Sequence, residues 1–324
     1  MNSFTELLGI DLPIIGGAMY PCSNPELVAA VSNAGGIGIV QPLSLTYVHG
    51  YDFREGLRYN RTLTPKPIGL NLIVEQSSSI YLKRMQAFLD IAIEEGVRFF
   101  ITALGNPDFV VRAAHQVNGI VFHDVTERKW ALKAIKHHVD GLICVNNEAG
   151  GHAGRLSPQA LYDELKDLGL PLICAGGIGD EFAFKRALDI GYSGVQLGTR
   201  LIATTECHEK SAYKQAILEA EPSDIVHTLR VTGVPLAVIN TPYVQQIGTR
   251  VSPLAAYLLQ NRFTKNWMRL FYSLRSIRRF KEISLKGAST RDYYQAGKSV
   301  GGIDKIEPVQ VIFDRFRKVL LRKD

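Results

Sequence analysis

Eight short apolar runs, each followed by a stretch with helical periodicity, occupy this 324-residue chain as far as about residue 220. The runs are continuous rather than alternating with polar residues, which is typical of parallel strands covered on both faces. Eight such units predict an α/β fold, a (β/α)8 TIM barrel, with an open doubly wound sheet as the alternative because periodicity does not fix closure. The predicted strands are Pro13–Ile15, Ile37–Val40, Ile68–Asn71, Phe99–Thr102, Gly119–His123, Gly141–Val145, Leu172–Ala175 and Gly194–Leu197.

The stretches between these strands carry helix start and stop signals. Asn24-Pro25 and Ser157-Pro158 each place a capping side chain before a proline at the first helical position. Asp180 can cap a helix that ends before Gly191, because glycine readily adopts the left-handed conformation of a helix terminus. The helices therefore have ends that the local sequence specifies.

The strand–helix rhythm stops after residue 221, which indicates a change of architecture. Residues 221–286 contain few strand-like runs and are predicted to be helical, and an amphipathic helix is expected around residues 308–320. We therefore expect three segments. They are a barrel at residues 1–221, a smaller, mostly helical cap or substrate domain at 222–290, and a C-terminal segment at 291–324 that packs back on the barrel.

Composition restricts the class of protein. A hydrophobic content of 46% and a charged content of 21% are those of a soluble globular enzyme rather than a disordered chain. Residues 1–11 lack the pattern of a secretory signal, and no apolar run approaches the roughly 18 residues of a membrane span. The four cysteines form no CxxC pair and fit neither a zinc site nor a disulfide framework. We predict a cytoplasmic protein.

Positive charge is concentrated between residues 260 and 286. Eight Lys or Arg residues and one Glu give this segment 8 − 1 = +7, against +6 for the whole chain. Three interpretations stay open: a solvated helical face, a docking surface for an acidic carrier protein or a CoA-linked acyl chain, and contact with an anionic membrane. No nucleic-acid-binding motif accompanies the segment, so nucleic acid is not an expected partner.

Three glycine-rich turns directly follow the last three predicted strands of the barrel. They are Asn146–Gly154, Ala175–Ile178 and Leu197–Arg200. Glycines at the carboxyl ends of barrel strands let backbone approach a ligand closely, and the turns after strands seven and eight are the usual phosphate position of such barrels. The alternative is that these glycines only permit tight turns.

The predicted barrel mouth is rich in glycine and amides and poor in carboxylates. It offers no second side chain spaced to complete a metal site with His152, and no pair of glycosidase acids. We therefore predict no metal, and chemistry carried by an organic cofactor. The candidate mouth positions are Gly16–Met19, Gln41, Asn71, Ala103, Gly105, His123, Asn146–Gly154, Gly176-Gly177 and Gly198-Thr199.

Seven motifs occur in order along the chain: Ile14–Met19, Asn33–Gly38, Ile68–Asn71, Glu148–Gly154, Ala175–Ile178, Gln196–Arg200 and Ala296–Ile303. This ordered set resembles the nitronate monooxygenase family, formerly called 2-nitropropane dioxygenases, and the related flavin-dependent enoyl-ACP reductases. The resemblance covers nearly the whole chain and is weakest in the basic segment.

The resemblance implies an FMN-binding barrel with a small helical domain over the flavin. It places Ala18, Met19 and Asn71 along the isoalloxazine ring, and Gln196 and Gly151 near the ribityl chain or ring edge. It also implies a cofactor phosphate held by the turns that follow strands seven and eight. The residues of this phosphate set are Ala175, Gly176, Gly177, Gly198 and Thr199.

His152 matches the family's active-site histidine, which implies a base that removes the α-proton of a nitroalkane. Taken alone, His152 is better interpreted as a solvated loop histidine, but its flanking glycines at a strand end together with the family match favour the functional role. His123, at the end of the fifth predicted strand, is interpreted either as a cofactor contact or as a barrel-rim histidine with internal partners.

Three functions are carried forward. The first is FMN-dependent oxidation of nitronates or nitroalkanes by O2, with His152 as catalytic base. The second is NAD(P)H-dependent reduction of an enoyl thioester or a quinone, and the third is a flavin-binding interaction protein that contacts a partner or membrane through residues 260–286. The oligomeric state is left open, with a homo-oligomer among the alternatives.

Overall fold

The computed structural model describes residues 3–75, 79–231, 233–251 and 293–321, and within these ranges the barrel is closed. Eight parallel strands pair in sequence order, and β1 also pairs with β8, so the open-sheet alternative is wrong. The strands are β1 (Ile14–Gly16), β2 (Ile37–Val40), β3 (Ile68–Ile73), β4 (Phe99–Ala103), β5 (Ile120–Val125), β6 (Gly141–Val145), β7 (Leu172–Ala175) and β8 (Gly194–Leu197).

Helices alternate with these strands as the sequence predicts. Ser157 caps its helix by accepting from the Ala160 N–H at 3.2 Å, and Asp180 accepts from the Ala183 N–H at 2.7 Å. The helices are α1 (Ser3–Leu8), α2 (Pro25–Asn33), α3 (Phe53–Leu63), α4 (Ser79–Glu94), α5 (Asp108–His115), α6 (Arg128–Ile135), α7 (Pro158–Leu165), α8 (Glu181–Ile190), α9 (Thr199–Ile202), α10 (Ser211–Glu219), α11 (Pro242–Ile247) and the C-terminal helix (Val309–Leu321). Short 3₁₀ or π turns occupy Ser44–Val48, Lys166–Leu168, Pro222–Asp224 and Lys298–Gly302.

Asn24 departs from its expected role. It precedes Pro25 at the start of α2, but its side chain does not cap the helix. Its amide instead donates to Glu26 and to the Glu206 carbonyl, and its side-chain oxygen accepts from the His208 N–H at 3.1 Å. Asn24 therefore ties α2 to the segment after β8, a long-range role that a local capping pattern does not reveal.

The core has two layers because successive strand residues point to opposite sides of the barrel wall. Inward-facing Ile15, Phe99, Phe122, Ile143 and Ile173 fill the barrel, and Phe4 of α1 closes its lower end. The outward-facing residues pack under the helices. The four cysteines are buried and free.

The C-terminal helix lies beside α8 and α2 in the outer ring. Phe316 stacks on Phe184 of α8 with ring centroids 4.9 Å apart, and Arg317 donates to the Ala34 carbonyl at the end of α2. This helix therefore takes the outer position next to β8 and β1, where the short α9 is too small to cover both strands.

The described part of the predicted cap, residues 222–251, contains strands as well as a helix. Residues Ile225–Thr228 (β9) and Leu236–Ile239 (β10) form an antiparallel pair, which the helical prediction for this stretch did not anticipate. The basic segment 260–286 and most of the predicted cap lie outside the described residues. In the described ranges no helix is long and apolar enough to cross a membrane.

Candidate active site

A cavity of about 1530 Å³ opens at the carboxyl ends of the strands. This volume exceeds that of an ordinary small-molecule pocket and leaves room for a cofactor together with a substrate. The residues that the sequence assigned to catalysis and cofactor binding all line it: Ala18, Met19, Asn71, Gly151, His152, Ala175, Gly176, Gly177, Gln196, Gly198 and Thr199. The barrel thus brings together residues from five strand ends. Of the wider set of mouth candidates, Gly16, Gln41 and Asn146 are not among the lining residues. The side-chain oxygen of Gln41 instead accepts from the Ser44 N–H at 2.6 Å.

Asn146 organises the glycine-rich loop after β6. It is fully buried, and its side-chain oxygen accepts from the Glu148 N–H at 2.8 Å while its amide donates to the Gly176 carbonyl at 3.1 Å. Its own carbonyl accepts from the Gly154 N–H at 3.1 Å. One side chain therefore fixes the loop that carries His152 and joins it to the turn after β7.

Two distant segments clamp the same loop. Gly151 pairs with Ala237 of β10 through reciprocal backbone hydrogen bonds of 3.3 and 2.7 Å. The Lys298 N–H donates to the Glu148 carbonyl at 2.8 Å, and the Gly297 N–H donates to Thr199 Oγ1 at 3.0 Å. The C-terminal segment thus links the loop after β6 to the turn after β8.

Glycine is required at the turn after β7. Gly176 and Gly177 have φ values of 121° and 83°, in the left-handed region that side chains rarely adopt. A Cβ on Gly176 would also lie 2.5 Å from the Ala149 nitrogen, and one on Gly177 would collide with the Glu148 carboxylate. Above Gly198 there is space, since a Cβ there would meet only Met19 Sδ at 3.7 Å. All three glycines line the cavity, and the open space of this glycine-lined recess lies above Gly198.

His152 lies on the clamped loop and its side chain is open to the cavity. Protein nevertheless surrounds it on most sides, and this desolvation lowers the pKa of the imidazole below its usual 6.5. The direction follows because burial disfavours the charged form. At neutral pH the ring is therefore neutral and can accept a proton.

His123 lines the cavity and is buried, with 6% of its surface exposed. Its Nδ1 lies 2.8 Å from the Thr102 hydroxyl, which also donates to the Phe122 carbonyl at 3.2 Å. A hydroxyl that donates to a carbonyl accepts from the ring, so Nδ1 carries the proton and Nε2 is the acceptor. Burial lowers the pKa of His123 to about 4, so the ring stays neutral. Its predicted cofactor contact remains a prediction.

The cavity wall contains Gln196 Oε1 on β8 and Asp124 Oδ1 on β5, which are enclosed and have no hydrogen-bond partner among the described residues. Burial raises the pKa of Asp124 to about 7. Sequence reasoning did not select Asp124 as a site residue, although its place two positions after inward-facing Phe122 indicates an inward side chain.

Other cavity residues also escaped the sequence analysis because they come from elements whose positions it could not fix. These include Trp130 of α6, Tyr213 of α10, His227 of β9 and Gln295 before the C-terminal helix. In the described residues no group of three His, Cys, Asp or Glu side chains could hold a metal ion.

Comparison with known proteins gives one family and several relatives. The family model described as nitronate monooxygenase matches residues 2–315, which confirms the resemblance seen in the motifs. The chain is 29% identical over 260 residues to (3aS,4S,5R,7aS)-5-hydroxy-7a-methyl-1-oxo-octahydro-1H-indene-4-carboxyl-CoA dehydrogenase of Mycobacterium tuberculosis, covering 78% of this chain and 71% of the relative. It is 27% identical over 303 residues to a probable nitronate monooxygenase of Staphylococcus saprophyticus, covering 80% of this chain and 84% of the relative.

Solved structures agree on the architecture. FabK from Thermotoga maritima superposes with a TM-score of 0.78 at 28% identity, covering 98% of this chain and 96% of FabK. A nitroalkane oxidase from Streptomyces ansochromogenes has a TM-score of 0.78 at 20% identity, covering 98% of this chain and 97% of the oxidase. The second likeness is evidence for the fold alone.

Proposed function

This chain belongs to the nitronate monooxygenase family of oxidoreductases, and we propose that it uses FMN to oxidise alkyl nitronates and nitroalkanes with O2. The observation that carries the proposal is a neutral imidazole, His152, on a clamped loop beside a glycine-lined recess in a single cavity. A base and a cofactor site next to each other are what proton removal coupled to oxidation requires.

The recess has the features that a flavin nucleotide needs. Backbone at Gly176, Gly177 and Gly198 can approach a phosphate, and among the described residues only the Met19 sulfur lies within 4 Å of the position of a Cβ on Gly198. The unpartnered Gln196 Oε1 is an acceptor for a ring or ribityl donor, and Ala18, Met19 and Asn71 line the same wall, as does Ala175. Gly151 and Thr199 complete the set that we assign to FMN.

His152 would remove the α-proton of a neutral nitroalkane. Its lowered pKa keeps it unprotonated at neutral pH, and hydrogen bonds from Asn146 and from the Lys298 N–H hold its loop at the cavity. A preformed nitronate has already lost this proton and does not need the base. The redox chemistry, electron transfer from the nitronate to O2, is what FMN supplies when bound.

The test compares His152→Ala with a control, His227→Ala, which removes another imidazole that lines the cavity. His152→Ala should keep bound FMN and lose about 10² to 10⁴ in kcat/KM on neutral nitroalkanes, because that is the usual contribution of a general base. The loss of kcat/KM on preformed nitronates should be much smaller, and His227→Ala should leave kcat/KM unchanged for both substrates. Equal losses on both substrates would assign His152 to orientation rather than proton transfer.

The redox proposal has its own test. Anaerobic mixing of the FMN-loaded protein with propyl nitronate should bleach the flavin absorbance without NADH or NADPH. An unchanged spectrum at saturating nitronate would contradict nitronate oxidation.

NAD(P)H-dependent reduction of an enoyl thioester is the second candidate. It is favoured by the relative named for a carboxyl-CoA substrate and by Lys133 and Arg155 at the cavity, which make no ion pair within the described part of the chain. Such cations can attract the phosphates of a CoA or carrier-bound thioester. Rapid bleaching of the flavin by NADH or NADPH, followed by reoxidation with an enoyl-CoA, would support it over nitronate oxidation.

A further inference from the structure

Asp124 is an acidic side chain inside the barrel that the proposed proton transfer does not use. Ile120 and Phe122 of β5 face the barrel interior, and the alternation of the strand turns Asp124 the same way, one step closer to the mouth. Asp124 lines the cavity together with the predicted cofactor residues. It therefore stands where a ligand in the mouth of the barrel would meet the wall.

The carboxyl of Asp124 lacks the contacts that normally accompany buried acids. Its Oδ1 is enclosed and has no hydrogen-bond partner among the described residues. Other acids nearby are satisfied: Glu127 pairs with Lys129 at 2.8 Å, and Asp140 accepts from the Val121 N–H at 2.7 Å. An enclosed carboxylate oxygen without a partner is costly, whereas a protonated acid carries a donor that a ligand can use.

We propose that the Asp124 carboxyl donates a hydrogen bond to the polar ring that fills the barrel mouth, which under the proposed function is the flavin. Gln196, three strands away on β8, offers the complementary acceptor through its unpartnered Oε1. The pyrimidine half of a flavin presents both carbonyl acceptors and an N–H donor. Asp124 would donate to a ring carbonyl on one side of the cavity, and Gln196 would accept from the ring N–H on the other.

Within the described residues, no charged group near β5 acts as a counter-ion for Asp124, and burial alone accounts for its raised pKa of about 7. The titratable groups of this region are His123 on β5, Lys133 and His137 on and after α6, and Cys144 on β6. Glu148, His152 and Arg155 of the loop after β6 line the same cavity. His123 is neutral, since burial lowers its pKa to about 4, and burial raises the pKa of Cys144, so neither carries charge at neutral pH.

The first experiment measures flavin affinity against pH. Flavin-free wild type, Asp124→Asn and the control Glu127→Gln are titrated with FMN at about pH 6 and about pH 8.5, and quenching of flavin fluorescence gives Kd. Wild type and Glu127→Gln should each lose about tenfold in affinity at the higher pH, because the donor is lost when Asp124 ionises. Asp124→Asn cannot ionise, and its amide still donates, so its Kd should stay constant.

A second readout does not need the flavin. Infrared spectra of the flavin-free wild type should contain a protonated carboxyl C=O band that disappears between about pH 6 and about pH 8.5 and that Asp124→Asn lacks. The comparison with Asp124→Asn separates this band from that of Glu209, whose pKa is also raised by burial. Absence of this band, or the same pH-dependent Kd in wild type and Asp124→Asn, would overturn the assignment. If no flavin binds to wild type at either pH, the proposed function fails, while the infrared band still decides the protonation state.

Discussion

Replacing Gly297 by alanine should detach the C-terminal segment from the glycine-rich loop. Gly297 has φ of −103°, so alanine fits the backbone and the problem is space alone. The added Cβ would lie 2.6 Å from the Gly150 nitrogen and 2.8 Å from the Ala149 carbonyl carbon, and the Glu148 carbonyl oxygen is nearer still. Normal contacts begin at 3.4 Å, so the segment must move by at least 3.4 − 2.6, about 0.8 Å.

A movement of this size stretches the two hydrogen bonds that link the segment to Glu148 and Thr199, now 2.8 and 3.0 Å long, beyond useful length. Each is worth about 1 kcal/mol, and overpacking costs about 1 to 3 kcal/mol. We expect the free energy of unfolding to fall by about 2 to 5 kcal/mol in urea denaturation, and FMN affinity to fall at least about tenfold.

Lys298→Ala is the matched control. Its side chain is exposed, and the substitution keeps the backbone N–H that donates to Glu148, so its stability should stay within about 0.5 kcal/mol of wild type. A Gly297→Ala protein as stable as Lys298→Ala, with unchanged FMN affinity, would refute the clamp.

Three further perturbations test other parts of the structure. The folded pKa of Asp124 is raised from 3.8 to about 7, so ionisation of Asp124 destabilises the fold as pH rises. In urea unfolding of the flavin-free protein, Asp124→Asn should therefore gain stability relative to wild type between about pH 4 and about pH 8, by at most about 4 kcal/mol. An equal difference in unfolding free energy between the two proteins at both pH values would contradict this. Asn146→Ala should lower the free energy of unfolding by about 2 to 4 kcal/mol and weaken FMN binding, because it removes the hydrogen bonds to Glu148 and Gly176. Asn147→Ala should do neither. Phe316→Ala should lower stability by about 3 to 5 kcal/mol, whereas exposed Val311→Ala should cost under about 1 kcal/mol by thermal unfolding.

Much of the barrel could be predicted from the sequence because buried parallel strands have a local signature. Four of the predicted strands, Ile37–Val40, Gly141–Val145, Leu172–Ala175 and Gly194–Leu197, have the observed bounds. The remaining four differ by one or two residues at one or both ends. Continuous apolar runs identify these strands without reference to the rest of the chain.

The glycine-rich turns and His152 were also visible in the sequence, because a strand followed by glycine marks the mouth of a barrel once the units have been counted. Their placement around one cavity agrees with that reasoning. Their assignment to FMN and proton transfer remains a proposal.

The features that could not be predicted from the sequence depend on contacts between residues far apart along the chain. The β9–β10 pair forms where β10 also meets Gly151, so long-range pairing outweighs weak local preferences there. Asp124 follows a histidine in an ordinary strand pattern, and only the closed barrel removes its Oδ1 from water and from any partner in the described residues. Periodicity along the chain thus determined the strands and the mouth of the barrel. The tertiary structure decided which polar atoms are buried there, because burial is set by neighbours that the local sequence does not contain.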